Sequence, residues 1–362
     1  MKEPIMVACD LHDRSMLLKA AQGRSAPIQR SVANTAAGRD KLVDQLREWS
    51  RVAGGAPVMF AYEASGLGFG LYDQLTAAGF RCHVLAPTKI ARSPAHRRRK
   101  TDERDADRIL ELLRGHVLAG NPLPDVWIPD PQTRDDRELV RTRLDLAEKL
   151  TAVKTQVQGL LKRHGRARPA DVGKGWTKKF RQWLRNLTRD KQVGAGQRGT
   201  LASLLRQLDF LEEEIGRVEL ELARLAHDPR YVRSLQEMMK LKGVNVLTGL
   251  VILTELGDLR RFANRRQLGA YLGLTPCSQE SGAASDRKGH ITRQGSSRIR
   301  RVLCQATWAR VRSEGPDRER YQRLVSKHPQ RKKIALVATM RRLAVRMWHA
   351  GCRGLPVPAP AA

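Results

Sequence analysis

The chain is short of cysteine, of long apolar runs and of acidic residues relative to basic ones, and each shortage removes a class of protein. Five cysteines, Cys9, Cys82, Cys277, Cys304 and Cys352, are scattered over 362 residues and never pair as C-x-x-C. That pattern excludes a disulfide framework and a structural zinc site, and leaves reduced, mostly buried thiols. The nine histidines include no H-x-x-x-H pair, so a catalytic metal has to be held by oxygen, which means carboxylates. No run approaches the ~18 apolar residues of a membrane-spanning helix, and the charge is not confined to one amphipathic segment. A membrane is therefore not the expected partner. The start, Met1 to Asp10, reaches a charged residue after one short apolar run and lacks the h-region of a signal peptide. The chain is expected to stay in the cytoplasm.

What is abundant is positive charge. Lys and Arg number 67 against 37 Asp and Glu, a formal net charge of +30 and a pI near 10.9. Such an excess calls for a polyanionic partner, and nucleic acid is the leading candidate. Between Asp258 and Ala350 there are 22 Lys and Arg against six Asp and Glu, so the C-terminal part carries much of this footprint.

The length allows two or three domains. Ile5–Cys9 and Ser15–Ala21 read as paired strands, Gly38–Val52 as an amphipathic helix, Pro57–Glu63 as a buried strand, Leu67–Ala78 as a helix and Phe80–Ala86 as another strand. Residues 1–125 are thus expected to form an α/β domain, with a basic loop from Pro87 to Lys100 and a helix from Thr101 to Arg114. The proline-containing stretch Gly120 to Asp130 reads as a linker. Residues 126–232 change period. Leu146, Leu150, Val153, Val157 and Leu160 step by 4 and 3, as do Leu204, Leu208, Leu211, Ile215, Val218, Leu222 and Leu225. Two coiled-coil-like helices are expected there, forming an antiparallel arm. The glycine-containing segment 164–200, with Trp176, Trp183 and many Lys and Arg, would be its basic tip. Residues 233–350 should form a mainly helical domain, and 351–362 a disordered tail rich in Pro and Ala.

Asp10 ends the first apolar strand, Glu63 ends the central one, and Asp102 and Asp105 share one face of the following helix. Strand ends in an α/β sheet converge on one edge, so four carboxylates can meet. Like charges in one pocket need cations to neutralise them, and two magnesium ions would do so while activating a nucleophile for phosphodiester chemistry. Each acid has a bland reading as a solvated charge or, for Asp102, a helix cap. Glu63, followed by Ala64-Ser65-Gly66, fits that reading least. Asp107 is expected to be exposed.

These blocks carry a resemblance. Ala8-Cys9-Asp10, then Tyr62-Glu63-Ala64-Ser65-Gly66, then Lys100-Thr101-Asp102-Glu103-Arg104-Asp105-Ala106 resemble the D, E, D, D blocks of the DEDD transposases of the IS-110 and IS-1111 insertion-sequence group. The resemblance implies an N-terminal domain similar to the Holliday-junction resolvase RuvC, with an RNase-H-like fold, in a bacterial protein. It also implies that Asp10, Glu63, Asp102 and Asp105 hold Mg2+.

Further along, Leu241-Lys242-Gly243-Val244-Asn245 looks like a helix-hairpin-helix turn, in which Gly243 lets the backbone approach a phosphate. A plain turn between helices is the alternative. Members of the group usually have a second glycine where Asn245 stands, and asparagine tolerates the left-handed conformation such a glycine would adopt. The run from Phe262 through Thr275-Pro276 to Glu280-Ser281-Gly282 and on to Gly295 resembles the group's C-terminal domain. There the serine of T-P-x-x-x-x-S-G is the implied nucleophile, a place that Ser281 fills. Ser278, Ser285, Ser296 and Ser297 compete nearby, and a serine before glycine is most often a turn residue.

Arg97, Arg98, Arg99, Lys100, Lys242, Gly243, Arg287, Lys288, Arg293, Arg298, Arg300 and Arg301 are the candidate nucleic-acid contacts, mostly to phosphates. Arg298 to Leu303 suggests a helix that buries Ile299, Val302 and Leu303 and turns its basic side outward, with Trp308 and Trp348 as core residues. The resemblance further implies transposition through a transient phosphoserine-DNA link, a homo-oligomer (dimer or tetramer), and DNA together with a structured noncoding guide RNA as partners. Two other readings stay open: a resolvase-like nuclease that uses water, and a noncatalytic nucleic-acid binder.

Overall fold

Short, β-rich apolar runs separated by turn residues give the N-terminal part of the chain its sheet, and long stretches with helical apolar periodicity give the rest its helices. The protein is described from a computed structural model covering residues 2–90, 102–173, 175–278, 288–327 and 329–356, the side chains of Asp102, Ser278 and Lys288 excepted. It divides into two compact units, Met1–Ile128 and Pro129–Ala362. Mixed sheet in one and helices in the other are compatible with an α/β plus all-α chain.

In the first unit, strands β1 (Ile5–Leu11), β2 (Ser15–Gln22), β3 (Ile28–Ala33), β4 (Val58–Glu63) and β5 (Arg81–Leu85) form a five-stranded sheet in the order β3-β2-β1-β4-β5. β2 runs antiparallel to β1 and β3, whereas β4 is parallel to both β1 and β5. Parallel strands need both faces covered. Helices α1 (Ala36–Val52) and α2 (Gly70–Ala77) bury Leu42, Leu46, Leu71 and Leu75 against Val7, Cys9, Phe60 and Tyr62 on one face. Helix α3 (Asp102–Ala119) covers the other face, packing Ile109, Leu110 and Leu113 on Met6, Ala8, Met59 and Ala61.

Three expectations change here. β3 was not anticipated, because Ile28–Ala33 is an edge strand exposed over most of its length and shows no apolar alternation. α3 runs past Arg114 to Ala119, carrying Gly115 within it. The stretch expected as a linker pairs with the sheet edge. Val126 donates its N–H to Val84 (2.7 Å) and Ala86 donates to Pro124 (2.8 Å), with Asp125 bridged to Leu85. Prolines are tolerated there because an edge has one unpaired side.

The second unit begins with α4 (Pro131–Arg163), whose start is fixed by Pro131 in the first turn and by Asp130, which accepts from the Thr133 N–H at 2.9 Å. At about 1.5 Å per residue, its 33 residues span roughly 50 Å. It packs along α6 (Ala195–Leu225) through Val153, Val157, Leu160, Leu204, Leu208 and Leu211. The 164–200 segment gives this pair a small core of its own. α5 (Lys178–Leu187) buries Phe180 and Leu184 in it, with Trp176 and Trp183 flanking the Phe180 ring at 5.1 and 5.6 Å.

The remaining helices are α7 (Val232–Met239), α8 (Val246–Leu256), α9 (Arg265–Tyr271), α10 (Ser297–Arg312), α11 (Pro316–Lys327) and α12 (Lys332–Gly354), with a two-stranded ribbon of β6 (Pro276–Ser278) and β7 (Lys288–Ile291) between α9 and α10. α8 is apolar over most of its surface and buried from Thr248 to Leu256, so the others pack around it. Ile299, Val302 and Leu303 are buried as expected. Trp348 is core, donating to the Leu259 carbonyl at 2.8 Å, but Trp308 is 36% exposed with its ring edge against Tyr321. The difference follows from position, because Trp308 lies off the apolar stripe of α10 formed by Ile299, Val302, Leu303 and Ala306. No described helix is long and apolar enough to cross a membrane.

Candidate active site

Strand polarity and side-chain alternation decide where the acids stand. Met6, Ala8 and Asp10 share one face of β1, and Met59, Ala61 and Glu63 share the same face of β4. The parallel register pairs Cys9 with Tyr62, so Asp10 and Glu63 come next, side by side at the carboxyl ends of two neighbouring strands. This is the edge at which open α/β sheets place their ligands. On α3, Asp105 belongs to the stripe of Ala106, Ile109 and Leu113 that faces the sheet, and it is 7% exposed. Asp102 opens the same helix, with its side chain outside the described residues.

Asp10, Asp105 and Asp107 each have a polar or cationic partner within the chain. The His12 ring and Asp10 lie 3.0 Å apart, and Arg108 donates to Asp105 at 3.1 Å. Lys19, on β2, donates to Asp107 at 2.6 Å. Asp107, expected to be exposed, is half exposed but engaged. Arg108 and Lys19 set positive charge beside Asp105 and Asp107, and clustered carboxylates are costly unless neutralised. Among the described residues, no three His, Cys, Asp or Glu groups form a cluster that could hold a metal ion. The structure thus brings Asp10 and Glu63 together and turns Asp105 to the same face of the sheet.

Sequence reasoning passed over His12, Lys19 and Arg108. The signal for His12 was available, since a residue two positions beyond Asp10 lies on the same side of an extended chain. Lys19 gave no signal, because a lysine in a strand is read as exposed. Behind the acids, burial and then the Asp10 charge push the Cys9 thiol well up, and burial likewise raises the Tyr62 phenol. Both stay neutral and serve as core.

The second candidate region belongs to the C-terminal unit. The turn from α7 to α8 places Gly243 at φ +80°, where an added Cβ would meet the Ala306 carbonyl of α10 at 2.9 Å. Lys242 is exposed, and its carbonyl accepts from the buried Arg310 at 2.5 Å. Asn245 is extended rather than left-handed, and caps α8 by accepting from the Thr248 N–H.

The residues on either side of the segment that carries Ser281 are tightly joined. Thr292 donates to Thr275, Arg293 to Gly273, and Pro276 pairs with Ile291. Gly273 (φ +63°) and Gly295 (φ +89°) each sit where a Cβ would come 2.1 Å from a backbone oxygen of the other arm, while Arg293 is itself left-handed. Arg300 donates to the carbonyls of Leu272, Gln294 and Gly295, tying both arms together. Burial, then the Arg293 charge, lowers its pKa. Gly273→Ala combines left-handed strain with a backbone clash, so it is expected to cost at least about 1–3 kcal/mol, read as a lowered thermal midpoint against wild type.

Arg298 pairs with Asp145 at 3.0 Å and Arg301 with Glu148, both on α4. Of the candidate phosphate contacts on α10, then, Arg298, Arg300 and Arg301 have partners inside the unit. Arg293 is exposed. Arg97, Arg98, Arg99, Lys100, Ser281 and Arg287 lie outside the described residues, as does the side chain of Lys288.

Comparison with known proteins agrees with these two regions. Residues 8–165 match the model of the IS110 DEDD transposases, described as a transposase, and residues 235–322 match that of the Transposase IS116/IS110/IS902 family. A Sinorhizobium fredii protein whose name calls it a transposase, y4qE, is 33% identical over 69% of this chain, which spans 58% of that relative's length. The transposase for insertion sequence element IS1533 of Leptospira borgpetersenii is 24% identical over 85% of this chain and 86% of its own. The transposase for insertion sequence element IS1111A of Coxiella burnetii is 26% identical over 67% of this chain and 62% of its own.

Proposed function

The chain belongs to the IS116/IS110/IS902 family of transposases, and from that premise we propose that it cuts and rejoins DNA with a serine nucleophile supported by a carboxylate-held divalent cation. The observation that carries this reading is the acidic edge of the sheet. Asp10 and Glu63 end adjacent parallel strands, and Asp105 is buried on the helix that covers the same face. The donors are all oxygens, as a hard cation such as magnesium requires, and no sulfur or imidazole is needed. Asp10, Glu63, Asp102 and Asp105 would hold two Mg2+ ions on an RNase-H-like scaffold. When bound, magnesium neutralises charge on the phosphate and helps a hydroxyl lose its proton.

The chain's own residues supply the rest. The Ser281 oxygen attacks the phosphorus, forming a serine O–P bond as a deoxyribose O–P bond breaks, and the serine proton ends on the departing oxygen. Attack by the hydroxyl of another strand reverses the step, so the exchange needs no external energy. Serine is a weak nucleophile without such activation and nearby positive charge. Exposed Arg293, with Arg287 and Lys288, is the local source of that charge, and Lys242 with Gly243 offers a phosphate contact. Arg97, Arg98, Arg99 and Lys100 lead into the helix bearing Asp102. A homo-oligomer and a structured guide RNA accompany DNA in this reading, and a net charge of +30 suits both polyanions.

The test uses protein purified from cells expressing its whole element, incubated with the element's junction DNA and magnesium and resolved on a denaturing gel. A covalent protein-DNA adduct in wild type that is absent in Ser281→Ala supports the reading. Cleavage by both without an adduct replaces it with a nuclease that uses water.

A further inference from the structure

We propose that the ion pair between Lys19 and Asp107 is a positioning device that sets where α3, and with it Asp102 and Asp105, sits on the sheet. Lys19 stands in the middle of β2, opposite Ala8, on the face that α3 covers. It is 8% exposed, and its ammonium donates to Asp107 at 2.6 Å. Around it the sheet presents Ala8, Ala21 and Ala61, small residues that let the helix approach and leave room for a long stem. An apolar residue would fill that space without desolvating a charge, so the lysine contributes geometry rather than stability.

The geometry is specific. Ile109, Leu110 and Leu113 grip the sheet farther along α3 through contacts that have no preferred direction. Asp107 lies between them and the helix start, two residues past Asp105 and five past Asp102, so the pair anchors the half of α3 that carries the acids. A carboxyl ~5 Å from a helix axis moves by about 2 Å for a helix rotation of roughly 20°. Displacements of that size at reacting groups cost on the order of 10²-fold in rate. Lys19 and Asp107 touch no reacting atom in this account. They act through Asp102 and Asp105.

The inference rests on the carboxylate reading above, and its test separates the two. The variant is Lys19→Met/Asp107→Leu in the full chain, which keeps the volume and removes both charges, alongside Lys19→Arg, which keeps the ion pair. Amide hydrogen exchange over residues 103–108, measured without metal, should accelerate about tenfold in the double variant. Residues 109–117 and the thermal midpoint should stay as in wild type. Calorimetric titration with magnesium alone should show affinity weaker by about 10–100-fold in the double variant and near wild type in Lys19→Arg. Unchanged exchange overturns the positioning role, whatever the metal does. Faster exchange with unchanged magnesium affinity also overturns it, leaving a purely structural pair. Wild-type protein that binds no magnesium overturns the metal reading instead, and positioning is then judged on exchange together with the rate of serine adduct formation.

Discussion

Asp105→Asn should leave the N-terminal unit folded and reduce DNA cleavage by at least about 10²-fold, in line with what disturbed metal sites lose. The substitution keeps the shape of the side chain and removes its charge. Asp105 is 7% exposed on the sheet-facing stripe of α3, with Arg108 donating to it at 3.1 Å. Asparagine can still accept that bond, so the local fold loses little. On the metal reading proposed above, what it would lose is a ligand of full negative charge, the property a divalent cation requires of hard oxygen donors. The measurement is cleavage rate against magnesium concentration at saturating DNA, with DNA binding followed separately. Retained binding with lost cleavage assigns the residue to chemistry. Unchanged cleavage removes Asp105 from the site.

The second large effect is on stability. Asp317→Ala is expected to destabilise the C-terminal unit by about 3–5 kcal/mol, the usual cost of leaving one member of a buried pair alone. Arg310 and Asp317 are 7% and 5% exposed, their side chains are hydrogen-bonded to each other, and Arg346 approaches the same carboxylate at 3.5 Å. Arg310 also donates to the Lys242 carbonyl, so its displacement would loosen the turn from α7 to α8 as well. The double variant Arg310→Met/Asp317→Leu should recover most of the loss, because well-packed apolar replacements of buried pairs are often neutral or better. Urea denaturation followed by circular dichroism reads both variants. A single variant as stable as wild type would show that the pair is solvated in solution.

The site was legible in proportion to how local its signals were. Asp10 and Glu63 stood out because each closes an apolar run, and a strand end is a fact of one segment. Asp102 and Asp105 stood out through i, i+3 spacing, again within one segment. The partners of the basic residues on α10 were illegible for the same reason, because they are not local. Arg298 and Arg301 pair with Asp145 and Glu148, some 150 residues earlier, and the carbonyls held by Arg300 belong to a backbone crossing. The proline-containing stretch after Gly120 read as a linker because its partner strand, β5, lies about 40 residues away.

By itself, the sequence determined the periodicities, and with them most of the elements: a sheet-forming N-terminal part, two long helices and the largely apolar α8. It also determined the polyanionic class of partner and the blocks of acids, since charge and side-chain spacing are properties of the chain in any conformation. Only the tertiary structure decided the strand order that makes Asp10 and Glu63 neighbours, the burial of Asp105, and the partners that hold each charge. It alone revealed Lys19 beneath α3, and the crossing at Gly273 and Gly295. Those depend on which distant segments pack together, and pairing energies between residues far apart leave no trace in local spacing.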